Sequence, residues 1–402
     1  MNVLMLSWEY PPHIIGGLGS HVADLVPALD RLGVHVTLVT PRWKGGARQE
    51  SLPGGSTIHR VDPPVPDLSD FLPAVQMTNA SLQGVAEALF EVEGPFDVIH
   101  VHDWLVAFAG IALKHFHHTP LLATIHATER GRTGGGLYND LNVAINGNEW
   151  WLCYESWRVI TTSHYMANEV QQYFHVPWDK QDIVPNGVYA APYDVLPERG
   201  EPDWWAFRRR YAHDDEQIVY HVGRLVGEKG AQLIVDAAPA VLAGAPMAKF
   251  VIAGRGPLLE SLKHRSWQLG LGDRFYFPGF IPDEDRNLLY RVADAAVFPS
   301  LYEPFGIVAL EAMAAKAPVV VSKTGGLAEV VEHNETGIHV WPDDVDSLAW
   351  GIVHTLNHPG WARMRTENAY RRVREVFNWD LIAQQTTGVY ERIIAEREGA
   401  DW

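Results

Sequence analysis

Short apolar runs alternate with segments of helical spacing along almost the whole chain. In the first half these runs are VLML, VHVTLVT, FDVIHVHD, PLLATIHA and WRVITTS; in the second half they are QIVYHVGRL, KFVIAGRG, AAVFPS and PVVVSKTGG. A repeated β-α-β rhythm predicts parallel sheets that are covered by helices on both faces. The pattern therefore predicts an α/β protein with two doubly wound, Rossmann-like domains.

The alternation of strands and helices is interrupted once, in the segment YAAPYDVLPERGEPDWW, which mixes proline, glycine and charged residues. We therefore predict an N-terminal domain over residues 1–190, a linker over 191–213 and a C-terminal domain over 214–375. Ligands of such sheets bind beyond the carboxyl ends of the strands. We expect the two domains to face each other across a ligand-binding cleft.

Charge and cysteine content narrow the classes of partner. The 402 residues carry a formal net charge of −17, which argues against nucleic acid and anionic membranes as partners. The single cysteine, Cys153, excludes an internal disulfide or a cysteine-based metal site and fits a reducing compartment. No run of 18 apolar residues predicts a membrane span. We expect a cytoplasmic protein.

A glycine-rich stretch, IIGGLGSHVADL, follows the first predicted strand and contains Gly16, Gly17 and Gly19. Glycines there let the backbone approach a ligand, and the helix that follows favours an anion at its N-terminus. The stretch does not match the dinucleotide-binding fingerprint G-x-G-x-x-G, because Val22 occupies the third glycine position. The next strand also ends in TPR, whereas the fingerprint requires an acidic residue there. A tight turn without any ligand is the alternative.

The segment HVGRLVGEKG places Arg224 and Lys229 in a short loop between a predicted strand and helix. Two cations among glycines at a helix N-terminus suit a diphosphate, although a solvated turn is the alternative for this loop alone.

The segment EPFGIVALE carries Glu303 before a helix and Glu311 inside it. Glu311 lies among apolar residues of that helix, and a buried carboxylate is costly unless it has a partner. The partner could be a distant arginine or lysine, or it could be the two hydroxyls of a nucleotide ribose. The first amides of the helix would supply further phosphate donors: those of Phe305, Gly306, Ile307 and Val308.

Histidines end two strands of the first domain: VIHVHDW carries His100, His102 and Asp103, and TIHATERGR carries His126. His100 and His102 are spaced like metal ligands, but no further cysteine or carboxylate completes a set. The acidic strings PDDVDS and IPDEDR precede helical patterns, so helix caps explain them better than a metal does. We predict no metal site and no cofactor.

These motifs, in this order and over essentially the whole chain, resemble the retaining nucleotide-sugar glycosyltransferases of the GT-B architecture. The resemblance is strongest to the family-four branch that includes glycogen synthase-like glucosyltransferases. It rests on the motifs above together with PNGV, IAGRGP, FPGFI and TGGLAEVV. It implies that residues 376–402 form a helix that returns to the first domain.

The resemblance also implies roles for the candidate residues. Arg224 and Lys229 would neutralise the diphosphate, Glu311 would hold the ribose, and Glu303 would contact the donor sugar. His126 would hold the primary hydroxyl of the sugar or its developing charge, and Asp103 would orient the sugar or the acceptor. The first-domain loop, with Gly16 and Gly17, would close on the donor, and Gly254 and Phe280 would flank the base.

The implied reaction moves glucose from UDP-glucose or ADP-glucose to an α-glucan or maltooligosaccharide, with retention and without a metal. Starch synthases of the neighbouring family carry lysine before the first Gly-Gly where this chain has Ile15, so both nucleotides stay open. Another acceptor, such as glucose 1-phosphate, and a non-catalytic sugar-binding protein are the alternatives. Trp150 and Trp151 either line an acceptor groove or belong to the core.

Overall fold

A computed structural model describes residues 1–400 of the chain. It divides into an N-terminal unit, residues 1–186 together with the chain from Trp379 onwards, and a C-terminal unit, Gly187–Asn378. Residues 401–402 of the predicted last helix lie outside the described residues. Among the described residues, no helix combines the length and apolar character that crossing a bilayer requires.

The strands and helices follow the alternation that the sequence predicts. The strands are β1 (Asn2–Ser7), β2 (His35–Pro41), β3 (Gln49–Ser51), β4 (Thr57–Val61), β5 (Val98–His102), β6 (Leu121–Ile125), β7 (Arg158–Thr161), β8 (Gln181–Ile183), β9 (Gln217–Val222), β10 (Ala248–Ala253), β11 (Phe275–Gly279), β12 (Ala295–Phe298), β13 (Val319–Ser322) and β14 (Ile338–Val340). The helices are α1 (Gly17–Arg31), α2 (Phe71–Val92), α3 (Ala107–His117), α4 (Glu129–Arg132), α5 (Asp140–Glu155), α6 (His164–Phe174), α7 (Ala191–Asp194), α8 (Pro202–Arg208), α9 (Ala231–Gly244), α10 (Leu259–Gln268), α11 (Asp283–Val292), α12 (Ile307–Ala314), α13 (Leu327–Val330), α14 (Val345–Asn357), α15 (Pro359–Val376) and α16 (Trp379–Glu398).

The N-terminal unit contains an eight-stranded sheet in the order β3-β4-β2-β1-β5-β6-β7-β8, in which only the β3–β4 pair is antiparallel. On β5, Ile99 and Val101 enter the hydrophobic core, whereas His100 and His102 point to the opposite face. This alternation along the strand places the two histidines on one face of the sheet.

The C-terminal unit contains a six-stranded parallel sheet in the order β11-β10-β9-β12-β13-β14. Neighbouring residues of β9 enter different cores, because Ile218 and Tyr220 pack in one cluster and Val219 packs in another. Apolar cores therefore lie on both faces of this sheet, and the predicted pair of doubly wound α/β folds is confirmed.

The domain boundaries differ from those we predict. Residues 191–213 are not a linker, because α7 and α8 belong to the C-terminal unit and contribute Tyr193, Trp204 and Phe207 to its core. Proline and glycine in this segment separate two short helices instead of marking a free connection. The last helix, α16, begins at Trp379 and is part of the N-terminal unit.

Candidate functional site

Lys229 and Glu303 form the central ion pair of the candidate site in the C-terminal unit. Lys229 Nζ lies 2.7 Å from Glu303 Oε2, although the residues are 74 positions apart in the chain. Their side chains are only 21% and 11% exposed, and Ser300 Oγ donates to the same carboxylate oxygen at 3.2 Å. The two separate motifs therefore build one largely buried charged centre.

Arg224 lies in the same loop between β9 and α9 but keeps more contact with solvent. Its side chain is 53% exposed, and its guanidinium donates to Glu228, four residues along, at 3.2 Å. An exposed pair of this kind holds a side chain weakly. Arg224 can therefore turn to a ligand without breaking the packing of the loop.

Two glycines around this loop are required by close backbone contacts. At Gly230, where φ is +73°, a Cβ atom would lie 1.9 Å from the carbonyl oxygen of Pro299. At Gly254, where φ is +133°, a Cβ atom would lie 1.8 Å from the carbonyl oxygen of Gly223. The packing of the loop explains Gly254 without a ligand, so its proximity to the base remains a prediction.

The helix α12 begins at Ile307 and follows Gly306, which has a φ of +104°. The first amides of a helix have no partner within it, so those of Ile307 and Val308 can serve as anion donors. Phe305 is buried in the core beside Phe377, with ring centroids 6.1 Å apart. The phosphate contacts of all four predicted residues, Phe305 to Val308, stay a prediction.

Glu311 has two side-chain partners within the protein. Arg286 Nη2 lies 3.4 Å from one carboxylate oxygen, and the Tyr290 hydroxyl donates to the other at 3.2 Å. Burial raises the pKa of Glu311, and the charge of Arg286 acts in the opposite direction. The structure therefore favours the distant-arginine alternative for this apolar helix, and the ribose contact stays a prediction. Sequence reasoning missed Arg286, which lies in the acidic string IPDEDR. The cap interpretation of this string is wrong, because the N-cap position of α11 is Pro282 and no side chain among the described residues caps the helix.

Phe280 follows β11 and is 66% exposed, with the Arg255 guanidinium 5.3 Å from its ring centroid. An exposed aromatic face beside a cation is suited to stacking on a planar group. Phe280 can therefore still flank a base, and Arg255 is a neighbour that sequence reasoning did not identify.

An internal carboxylate occupies the predicted glycine loop of the N-terminal unit. Glu9 Oε2 accepts the amides of Ile15 at 2.7 Å and Gly16 at 3.1 Å, and a Cβ atom at Gly19 would lie 2.7 Å from this oxygen. Two amides near the start of α1 thus already bind an anion of the chain itself. Gly17 begins α1, and sequence reasoning missed Glu9.

Asp103 holds the backbone that carries His126. The Asp103 residue has a φ of +59°, and its Oδ1 accepts the amide of His126 at 2.7 Å. Burial raises the pKa of Asp103 to about 6, partly offset by Arg132 and by hydrogen bonds from the backbone of residues 126 and 127. These contacts make Asp103 a positioning residue for His126; contact with a sugar stays a prediction.

His126 is half-buried and lies against the buried imidazoles of His21 and His102. Its Nε2 lies 3.1 Å from His102 Nδ1, and its ring centroid lies 4.7 Å from that of His21. Burial and the nearby Arg132 charge lower the pKa of His126 to about 3, so the ring is neutral near pH 7. Sequence reasoning missed His21, because nothing in the local spacing connects α1 with β5 and β6.

His100 is not part of the cluster that His102 forms with His21 and His126. Its two ring nitrogens are paired with the Tyr390 hydroxyl and the Thr124 hydroxyl, each at 2.7 Å. His100 and His102 are therefore not a two-residue ligand set, but His102 lies with His21 and His126, so the absence of a metal site stays a prediction. The acidic string before α14 behaves as predicted, since Asp344 caps this helix by accepting the amide of Ser347.

The two tryptophans of α5 have different environments. Trp151 packs against the core beside Phe108, with ring centroids 5.8 Å apart. Trp150 is 45% exposed and stacks on Tyr154 at 5.4 Å. Only Trp150 is placed to meet a ligand at the surface.

Both units of this chain match models of known protein families. Residues 15–191 match the model of glycosyltransferase family 4, and residues 203–372 match the model of glycosyl transferases group 1. A glycosyltransferase of Methanocaldococcus jannaschii is 38% identical, with 97% of this chain and 98% of the relative covered. Glycogen synthase of Mycobacterium tuberculosis is 34% identical, with 97% and 94% covered. The structure of sucrose-phosphate synthase from Thermosynechococcus elongatus has a TM-score of 0.82 at 25% identity, with 98% and 99% covered.

Proposed function

The chain belongs to glycosyltransferase family four and has the GT-B architecture, and from this premise we propose a specific reaction for it. It moves a glucosyl group from UDP-glucose or ADP-glucose to an α-glucan or maltooligosaccharide, with retention of configuration. The observation that carries the proposal is the largely buried pair of Lys229 and Glu303 beside the N-terminus of α12.

In this reaction the diphosphate of the donor takes the place of Glu303 as the partner of Lys229. Arg224 and the first amides of α12 add to the positive potential that stabilises the leaving diphosphate. The departing phosphate accepts the proton of the acceptor hydroxyl, so no separate base is needed. Because these groups supply the positive charge, we propose that transfer does not require a metal ion.

Once the diphosphate engages Lys229, the Glu303 carboxylate becomes available to the donor sugar. In the N-terminal unit, His126 holds the primary hydroxyl of that sugar, and Asp103 fixes the backbone of His126. Glu311 accepts the ribose hydroxyls and exchanges part of its contact with Arg286 and Tyr290.

Both UDP and ADP are candidates for the nucleotide of the donor, because this chain has Ile15 at the position where starch synthases carry a lysine. A glucan acceptor is supported by the glycogen synthase relative at 34% identity. A small acceptor such as glucose 1-phosphate is the second candidate within this chemistry. A non-catalytic sugar-binding protein is the candidate from another class, but a glucan alone gives no reason for a buried lysine beside Glu303.

The test is a matrix of donors and acceptors in the presence of a metal chelator. UDP-glucose and ADP-glucose are each offered with glucose, glucose 1-phosphate, maltooligosaccharides and glycogen, and the new linkage is identified by NMR. We expect an α-linked product on a glucan acceptor. Transfer only to glucose 1-phosphate would support the second candidate. Binding of a glucan with no transfer from either donor would support the non-catalytic one.

A further inference from the structure

Three histidines from separate elements converge inside the N-terminal unit. His21 lies on α1, His102 ends β5, and His126 follows β6. One ring nitrogen from each residue lies within 4.8 Å of one from each of the other two. We propose that His21, His102 and His126 bind a Zn²⁺ ion, and that an ion bound there inhibits the transferase.

An unsatisfied ring nitrogen supports this assignment. The Nε2 atom of His21 is buried and has no hydrogen-bond partner among the described residues. Buried polar atoms without partners are uncommon in folded proteins and are costly. Three imidazoles are a ligand set that Zn²⁺ accepts, with a water molecule in the fourth position.

Asn186 prepares His21 for metal binding. Its side-chain oxygen lies 2.6 Å from His21 Nδ1, and an amide oxygen can only accept a hydrogen bond. The Nδ1 atom must therefore carry the hydrogen, which leaves a lone pair on Nε2. A metal-binding histidine typically has this arrangement, with its second nitrogen donating to an oxygen of the protein.

Two of the three nitrogens are already spaced as zinc ligands are. Tetrahedral zinc with bonds of about 2.0–2.1 Å places its ligand nitrogens about 3.3 Å apart. His102 Nδ1 and His126 Nε2 are already 3.1 Å apart. The third nitrogen, on His21, lies within 4.8 Å of one ring nitrogen of each of the other two histidines. The half-buried His126 is the member of the set nearest to solvent.

The inhibitory part of the proposal rests on the proposed function, whereas the binding part does not. The proposed reaction needs the imidazole of His126 for the donor sugar, and a zinc ion would occupy that imidazole. Zinc bound at the cluster is therefore not a cofactor for transfer. This site is compatible with full activity in the presence of a chelator.

The binding test measures the zinc affinity of the full-length chain by competition with a chromophoric chelator, with the stoichiometry taken from elemental analysis. We expect one ion for each chain. Changes to an outer-shell residue typically weaken metal affinity by roughly 10–100-fold, which we expect for Asn186→Ala. Loss of a direct ligand should cost more, so His21→Gln and His102→Gln should each weaken binding by at least about 100-fold.

His358→Gln is the matched control, because His358 lies on the surface of the C-terminal unit beside another histidine, His354. It should keep the parental affinity, and circular dichroism checks that every variant folds. Binding that is unchanged in His21→Gln and Asn186→Ala would overturn the proposal. So would binding that is lost only in His358→Gln, or a parent that binds no zinc.

A second readout separates this proposal from the proposed function. Within each variant, the transfer rate with zinc is divided by the rate without it. We expect zinc to inhibit the parent and His358→Gln, with weaker inhibition in Asn186→Ala. Zinc that binds without slowing transfer would refute the inhibitory role. Absence of any transfer without zinc would refute the proposed function and leave the binding result to decide the metal site.

Discussion

Lys229 carries its charge in a largely buried position where Glu303 is its partner. Removal of a preorganised group that stabilises leaving-group charge typically slows a reaction by roughly 10²–10³, or about 3–4 kcal/mol. We expect Lys229→Ala and Arg224→Ala each to slow transfer by this order. Initial rates at saturating donor measure the effect, and Lys263→Ala, an exposed lysine of α10, is the control. Near-parental turnover in both variants would remove the two cations from the mechanism.

The two glutamates of the α12 motif should respond differently to nucleotide. A ligand that binds only the folded protein stabilises it by roughly 2.7 kcal/mol at a hundredfold excess over Kd. We expect UDP or ADP to raise the melting temperature of the parent and of Glu303→Gln, while Glu311→Gln loses most of the rise. A thermal-shift series on the three proteins measures this. An undiminished response in Glu311→Gln would leave Glu311 as the structural partner of Arg286 and exclude it from ribose binding.

Glu149 should make the stability of the protein depend on pH. Its carboxylate oxygens accept the amide of Glu129 at 2.9 and 3.0 Å, and burial raises its pKa from 4.5 to about 8. Between these two values the folded state retains a proton that the unfolded chain has released. The contribution of Glu149 therefore falls with rising pH, by roughly 1.4 kcal/mol for each pH unit, and is constant above about pH 8.

Glu149→Gln tests this linkage because glutamine can accept the same amide without a titratable proton. We expect the melting temperature of the variant minus that of the parent to increase from pH 5 to pH 8. Glu260→Gln, at an exposed side chain of α10, is the matched surface control. A constant difference for Glu149→Gln would show that the buried carboxyl does not titrate in this range.

At the scale of elements, the loop from β9 to α9 depends on Gly230. An L-residue in its left-handed conformation costs about 1–2 kcal/mol, and the added Cβ would also meet the carbonyl oxygen of Pro299 at 1.9 Å. We expect Gly230→Ala to destabilise the protein by at least about 2 kcal/mol and to displace Lys229.

Gly227→Ala is the matched change in the same loop, because a Cβ atom there would have nothing within 4 Å. It should leave the melting temperature close to that of the parent. Urea denaturation of both variants measures the difference. Equal stability of the two variants would mean that the loop adjusts to remove the contact with Pro299.

At the scale of the whole molecule, the last helix completes the N-terminal unit. The Tyr390 hydroxyl pairs with His100 Nδ1 at 2.7 Å, and Glu396 pairs with Arg158 at 2.9 Å. Trp379 and Tyr390 are both buried. Removal of residues 379–402 should therefore expose apolar surface and leave polar groups of the N-terminal unit without partners.

Hydrogen exchange measured by mass spectrometry can locate this loss. After the truncation, peptides that contain β1 and β5 should exchange faster, while those from the C-terminal unit should keep their protection. A chain that stops after Glu398 keeps α16 whole and should exchange like the parent. Equal protection of β5 with and without α16 would contradict the structural role of this helix.

The sequence by itself determined the two α/β folds, because alternating apolar strands and amphipathic helices are local patterns. Its motifs also made Arg224, Lys229 and Glu303 candidates by placing charge or glycine at the ends of strands, and the structure pairs Lys229 with Glu303. Their roles in the reaction stay predictions. The sequence could not determine that residues 191–213 pack into the C-terminal core, because proline and glycine occur both in linkers and between short helices.

Only the tertiary structure decided the partners of the buried groups. Glu311 is paired with Arg286, and the glycine loop donates hydrogen bonds to Glu9. His126 lies beside His21 and His102. These partners come from separate elements, and no spacing along the chain connects them. Burial makes a partner necessary because an unpaired charge in an apolar interior is costly. Which residue supplies it depends on the way the helices and strands pack, and that information is not local in the sequence.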